Sequence, residues 1–185
     1  MSTNAEQVVV LDFETTGLRS ATDRVIEVGA VALDGKHLVA KYSQLMNPGD
    51  YLPANITQIT GITDEMLWDQ PSPQEVMPQL RDFIGDRTII AHNAGFDEKF
   101  LRAEMNRVDE DLHNPILCTL KLSRRLMPDM YNYRLETLKN YLGIRVSRSH
   151  RALDDAEATS FLWRHLYETA CRLADKEKID LQFLK

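Results

Sequence analysis

The stretch "QVVVLDFE", residues 7–14, constrains this chain more than any other: an apolar run of strand length that ends in two carboxylates. Two further runs follow, "RVIEVGAVALDG" closing on an Asp-Gly turn and "HLVAKYSQLMNP". Runs joined by so short a turn predict three strands paired as antiparallel neighbours. Asp12 and Glu14 stand two apart, so on a strand they share one face with Val8 and Val10. An apolar face that switches to two acids bears repulsion and desolvation unless a cation neutralises them or the strand end frays into water.

Helical periodicity takes over downstream. "TDEMLW" and "SPQEVMPQLRDFIG" read as helices, the second opened by Ser72 with Glu75 three residues on, a capping-box pattern. "RTIIAHN" reads as a short buried strand feeding the helix "GFDEKFLRAEMNRV". "NPILCT" reads as an edge strand before the helix "LKLSRRLM", and "RLETLKNYLG" stops where Gly143 offers a C-cap. A long helix from about Ala152 to Leu173 completes the set. Hairpins first and helix-linked strands later predict a mixed sheet covered by helices, one α/β domain over 1–185 with a short tail from about 175.

Helical phase sorts the remaining acids. Asp97, Leu101, Met105 and Val108 recur at helical spacing, which turns Asp97 toward the core and leaves Glu98 with Arg102 outside. Capping of a helix start would explain an acid there equally well. In "SHRALDDAEATSFLW" the apolar stripe runs through Ala156, Thr159, Leu162, Trp163, Leu166, Ala170 and Leu173. Asp155 lies within it, and Asp154, about 100° away, falls on the polar side. His150 precedes this helix, so phase does not fix it. His37, His92, His113 and His165 are read as structural. Three elements thus send carboxylates inward, and all-oxygen donors suit a hard divalent ion, Mg²⁺ or Mn²⁺, better than zinc.

Charge and cysteines bound the alternatives. The net charge of −6 argues against a protein that coats nucleic acid nonspecifically. Between Lys121 and Arg151, however, eight basic residues (Lys121, Arg124, Arg125, Arg134, Lys139, Arg145, Arg148, Arg151) face two acids, Asp129 and Glu136. Such a run is either a solvated face or a phosphate-tracking one. No signal-peptide pattern or apolar stretch of membrane-spanning length is present, so a soluble, cytoplasmic protein without membrane contact is expected. Cys118 and Cys171 lack metal-ligand spacing and are expected to be buried free thiols.

"DFETTGL", "AHNAGFDEKFL" and "HRALDDAEAT" resemble the three motifs of the DEDDh 3′-to-5′ exonucleases of the DnaQ-like group. "ITGITDEML", "NPILCTLKLSRRLMP" and "RLETLKNYLGI" are similar to intervening segments of the proofreading domain of PolC-type polymerases, and more loosely to the catalytic domain of the polymerase III epsilon subunit. The resemblance implies an RNase H-like fold, a mixed five-stranded sheet whose first three strands are antiparallel. It also implies two-metal phosphodiester hydrolysis from the 3′ end of single-stranded or frayed DNA, releasing nucleoside 5′-monophosphates in proofreading or repair. Asp12, Glu14 and Asp155 would hold one cation, Asp12 would bridge to a second about 4 Å away, and Asp97 would support that one. His150 would take the proton of the attacking water, with an ordinary pKa of about 6.5 suited to the task. Thr15, Thr16, Leu18, Thr60 and Phe96 would line the pocket of the terminal nucleotide. The implied partner is a single-stranded 3′ end, DNA before RNA, with a polymerase as a possible protein partner. Two departures, Cys118 in place of a frequent aspartate and Thr60 in place of the epsilon subunit's histidine, bear on terminal-base contacts. An exoribonuclease, a silent binding module on the same fold and a pure interaction domain with incidental acids are the rival readings.

Overall fold

A computed structural model describes residues 7–146 and 151–184. Five strands form one mixed sheet: β1 (Gln7–Thr15), β2 (Val25–Asp34), β3 (His37–Leu45), β4 (Thr88–Ala91) and β5 (Ile116–Cys118), in the order β3-β2-β1-β4-β5. β1 pairs antiparallel with β2, and β2 with β3, while β4 joins β1 in parallel and β5 joins β4 in parallel. The central position of β1 explains its continuous apolar run, because both of its faces are covered. Val8 and Val10 belong to the core beneath α5 (Thr119–Leu126), α6 (Leu135–Leu142) and α7 (Ala152–Leu173). Val9, Leu11 and Phe13 face the opposite core, built with α3 (Pro73–Ile84) and α4 (Gly95–Asn106).

The local signals act where expected. The Glu75 carboxylate accepts the Ser72 N–H at 2.7 Å and its hydroxyl at 2.8 Å, closing one half of the capping box. Gly143 ends α6 in the left-handed conformation, φ 65°. Asn93, also left-handed at φ 60°, makes the turn between β4 and α4 that brings Asp97 back over the end of β1. Glu104, buried on α4, accepts two bonds from Arg24, at 2.9 and 3.1 Å, and pins that helix beside the start of β2.

Three features differ from expectation. A helix, α1 (Ala54–Thr60), precedes the expected α2 (Asp64–Leu67). Its sequence "ANITQIT" is rich in β-branched residues of low helix propensity and has no stripe, so tertiary burial of Ile56 against Ile26, Leu52, Ile62 and Leu67 holds it. Leu173, read as part of the α7 stripe, is 71 % exposed because the core ends one turn earlier, at Ala170 and Cys171. Cys118 is half-buried, while Cys171 is buried. In the short segment after Asp175, Ile179, Leu181 and Leu184 are buried in the α7 core, the last two on a 3-10 turn, Leu181–Leu184. Among the described residues, no helix is long and apolar enough to cross a membrane.

Candidate functional site

The acids meet at the C-terminal end of β1. Asp12 and Glu14 point to the face on which α7 packs, and Asp155, on the first turn of α7, joins them there. Carboxylate oxygens of Asp12, Glu14 and Asp155 lie within 4.8 Å of one another. Asp97 arrives from the other side of the sheet, at the start of α4, where it is buried and accepts the Phe13 N–H at 3.2 Å. A long helix below and a short one above therefore converge on the residues where β1 changes from apolar to acidic.

Crowding shows in the proton affinities. Burial, followed by the charges of Asp97, Asp155, Glu14 and Glu27, holds Asp12 well above the usual carboxylate range. Burial first, then Asp155, Glu27 and Asp97, pushes Glu14 up to about 8, against an opposing pull from Arg151. Burial pushes Asp97 up to about 7, although its own N–H and that of Phe13 work the other way. Carboxylates at such separations, offering only oxygen, are the donor set of a hard cation.

A stability prediction follows with its sign. These three acids have folded pKa values above those of the unfolded chain, so between about pH 4 and pH 8 the folded state binds more protons and stability falls as pH rises. In chelator, the melting temperature at pH 8.5 is expected to lie at least about 4 °C below that at pH 5.5. Saturating Mg²⁺ at pH 8.5 is expected to recover the loss. Equal melting temperatures at the two pH values would mean that burial and mutual repulsion do not raise these acids as described.

Two residues that sequence reasoning passed over hold α7 in place. Glu27, on β2 opposite Glu14, is buried and accepts three bonds from Arg151 at 2.6 to 3.1 Å and a fourth, at 3.1 Å, from the Ala152 N–H at the start of α7. It is a fifth acid beside the cluster, but its charge is committed to Arg151 and to the helix N-terminus. Gly29, two residues on, lets the helix sit almost on the strand: a Cβ there would lie 2.1 Å from the Ala152 carbonyl carbon and the Leu153 nitrogen. The sequence signal was a lone acid in an otherwise apolar strand, whose cation stands 124 positions away.

The residues expected to line the nucleotide pocket lie on three segments: the end of β1 and the turn after it, the end of α1, and the first turn of α4. Thr15 is buried and donates to the Gly17 carbonyl at 2.6 Å, and the Thr16 hydroxyl oxygen accepts the Arg24 N–H at 2.9 Å. Leu18 is 85 % exposed. Thr60 ends α1 buried, bonded to the Ile56 carbonyl and the Ile62 N–H. Phe96 packs on Phe100 in the first turn of α4, ring centroids 4.9 Å apart. His150 lies outside the described residues. His92 is held at both ring nitrogens: Nε2 donates to the Tyr133 carbonyl at 2.9 Å, and Nδ1 lies 2.9 Å from the Thr119 hydroxyl.

The basic stretch is not one phosphate-facing strip. Arg151 turns inward to Glu27, and Lys139 is buried with Nζ 3.0 Å from Glu136 and 3.9 Å from Asp155. Lys121, Arg124, Arg125, Arg134 and Arg145 are exposed, and Arg148 lies outside the described residues.

The sequence model of a family described as Exonuclease (RNase_T) matches residues 9–161, a span that takes in all four clustered acids. The PolC-type DNA polymerase III of Bacillus cereus is 42 % identical over 158 residues, covering 85 % of this chain and 11 % of that protein. Its counterpart in Clostridium perfringens is 36 % identical over 180 residues, covering 97 % and 12 %. The chain thus spans about a tenth of the length of these curated relatives. Among solved structures, Exonuclease X in complex with 5′ overhanging duplex DNA superposes with a TM-score of 0.74 at 27 % identity, covering 88 % of this chain and 92 % of that one. Exonuclease I of E. coli in complex with a dT13 oligonucleotide gives 0.81 at 22 % identity, covering 92 % and 43 %, and shares the RNase H-like fold.

Proposed function

The chain belongs to the exonuclease (RNase_T) family, and on that premise we propose that it is a 3′-to-5′ exonuclease, acting with two Mg²⁺ or Mn²⁺ ions on single-stranded or frayed DNA ends. The observation that supports this most is the set of three carboxylates, from β1 and α7, with oxygens within 4.8 Å of one another. When bound, such ions supply a nucleophilic water at neutral pH and neutralise charge on the phosphate.

The chain's own residues divide the remaining work. Asp12, Glu14 and Asp155 would hold one cation, and Asp97, from the α4 side, would help to hold a second. Their raised proton affinities come first from burial and, for Asp12 and Glu14, then from the neighbouring acids, and a bound cation would offset both. His150, one residue before the Arg151 that Glu27 anchors, takes the proton from the attacking water. Thr15, Thr16, Leu18, Thr60 and Phe96 bound the terminal nucleotide, Phe96 offering a ring for stacking. DNA is favoured over RNA because the PolC-type relatives are DNA polymerases and the two solved relatives were captured with DNA. The likeness to PolC-type DNA polymerase III supports a polymerase as protein partner and the cytoplasm as the place of action.

With Mn²⁺, the protein is expected to release nucleoside 5′-monophosphates from the 3′ end of a single-stranded DNA oligonucleotide. It should act more slowly on a paired end and on RNA of the same sequence. Product analysis with 3′- and 5′-labelled strands, against Asp12→Ala, checks this. Degradation that survives Asp12→Ala, or nucleoside 3′-monophosphate products, would sink the reading.

A further inference from the structure

Lys139 is the cation whose position the proposed chemistry does not use. On α6 it follows Leu138, which is wholly buried, and three residues back stands Glu136. By spacing it would be a surface partner for Glu136. Instead its side chain is only 6 % exposed, and the ammonium bridges the solvent-facing Glu136 carboxylate, 62 % exposed, to Asp155, at 3.0 and 3.9 Å. A lysine is seldom buried this far unless its charge is matched. Arg151, the other basic residue turned inward beside the acids, is bound to Glu27 by three hydrogen bonds and is taken up there. The Lys139 ammonium thus lies within ion-pair reach of one of the four clustered acids.

We propose that Lys139 is the resident counter-ion of Asp155: it holds that carboxylate in place before a divalent cation arrives and opposes the cation when it does. The lysine is then a positioning residue that sets metal affinity, and the inference rests on the metal-binding reading above. Its two effects have opposite signs. Without metal, the ammonium relieves the repulsion felt by Asp155 among Asp12, Glu14 and Asp97. With metal, it is a like charge beside a ligand, and a unit charge a few ångströms from a divalent ion counts even in a water-like dielectric. The net result is weaker, more exchangeable binding than the four acids would give alone.

The test is calorimetric titration of Mn²⁺ into the chelator-treated full chain, for wild type, Lys139→Met and Lys139→Arg, with melting curves of each metal-free protein. Lys139→Met is expected to bind Mn²⁺ about tenfold more tightly while melting lower without metal. Lys139→Arg is expected to stay within about twofold of wild type, because it keeps the charge. If Lys139→Met does not fold without metal, Lys139→Gln carries the same expectation for affinity. An unchanged Kd in the neutral variants would make Lys139 a packing residue only and overturn the proposal, as would weaker binding. A wild type that binds no Mn²⁺ would instead overturn the metal-binding reading, and this inference with it.

Discussion

Turnover by Asp155→Asn is expected to fall on the order of a thousandfold, while Asp154→Asn stays within about threefold of wild type. Both aspartates stand in the first turn of α7, and at the sequence level they differ by one position. In a helix that position is a rotation of about 100°. It carries Asp155 toward Asp12 and Glu14, with oxygens inside the 4.8 Å cluster. Asp154 makes no part of that cluster; its charge is felt by Arg151 and favours the helix start by a few tenths of a kcal/mol. Asparagine keeps the shape of aspartate and removes the charge a cation needs, so the two variants isolate that charge. Initial rates with Mn²⁺ on a 3′-labelled strand, together with melting curves, measure it. Equal losses in the two variants would show that the cluster is not what carries turnover.

The asymmetry between these aspartates was legible in the sequence because α7 is long and its apolar stripe covers many turns, which fixes its phase. β1 was legible for a related reason: a strand covered on both faces must be apolar at every position until its function interrupts it. What the sequence did not carry was partnership across the chain. Glu27 read as one acid in an apolar strand, and nothing local pointed to Arg151. Lys139 read as part of a basic stretch, since the turn of α6 that buries it depends on where α7 lies. Asp97 was placed correctly in phase, but not on the opposite side of the sheet from α7, because phase tells which residues face inward and not which layer they enter. α1 was missed because its stability lies in Ile56 and its neighbours, not in its own seven residues.

The same dependence on distant backbone gives the second large effect, at a residue with no side chain. Gly29→Ala is expected to destabilise the protein by about 3 kcal/mol and to lower turnover by about a hundredfold. Gly29 pairs with Asp12 across the β1–β2 ladder, and its missing Cβ leaves the space that the first residues of α7 occupy. A methyl group there would stand 2.1 Å from the Ala152 carbonyl carbon and 2.3 Å from its oxygen, far inside contact distance. The obstacle is backbone, so no rotamer relieves it; the helix start must move by more than an ångström or the strand must bow. Either shift strains the bonds from Arg151 and Ala152 to Glu27. Either also draws Asp155, whose N–H is bonded to the Arg151 carbonyl at 3.0 Å, away from Asp12 and Glu14. Stability and turnover therefore fall together, and Mn²⁺ affinity weakens with them. Gly95→Ala is the matched control for melting: a Cβ at that position, the first residue of α4, meets nothing within 4 Å, so its melting temperature should equal or slightly exceed that of wild type. If Gly29→Ala melts like Gly95→Ala and binds Mn²⁺ like wild type, then α7 has slack against β2, and close approach of helix and strand is not what sets Asp155 beside its partners.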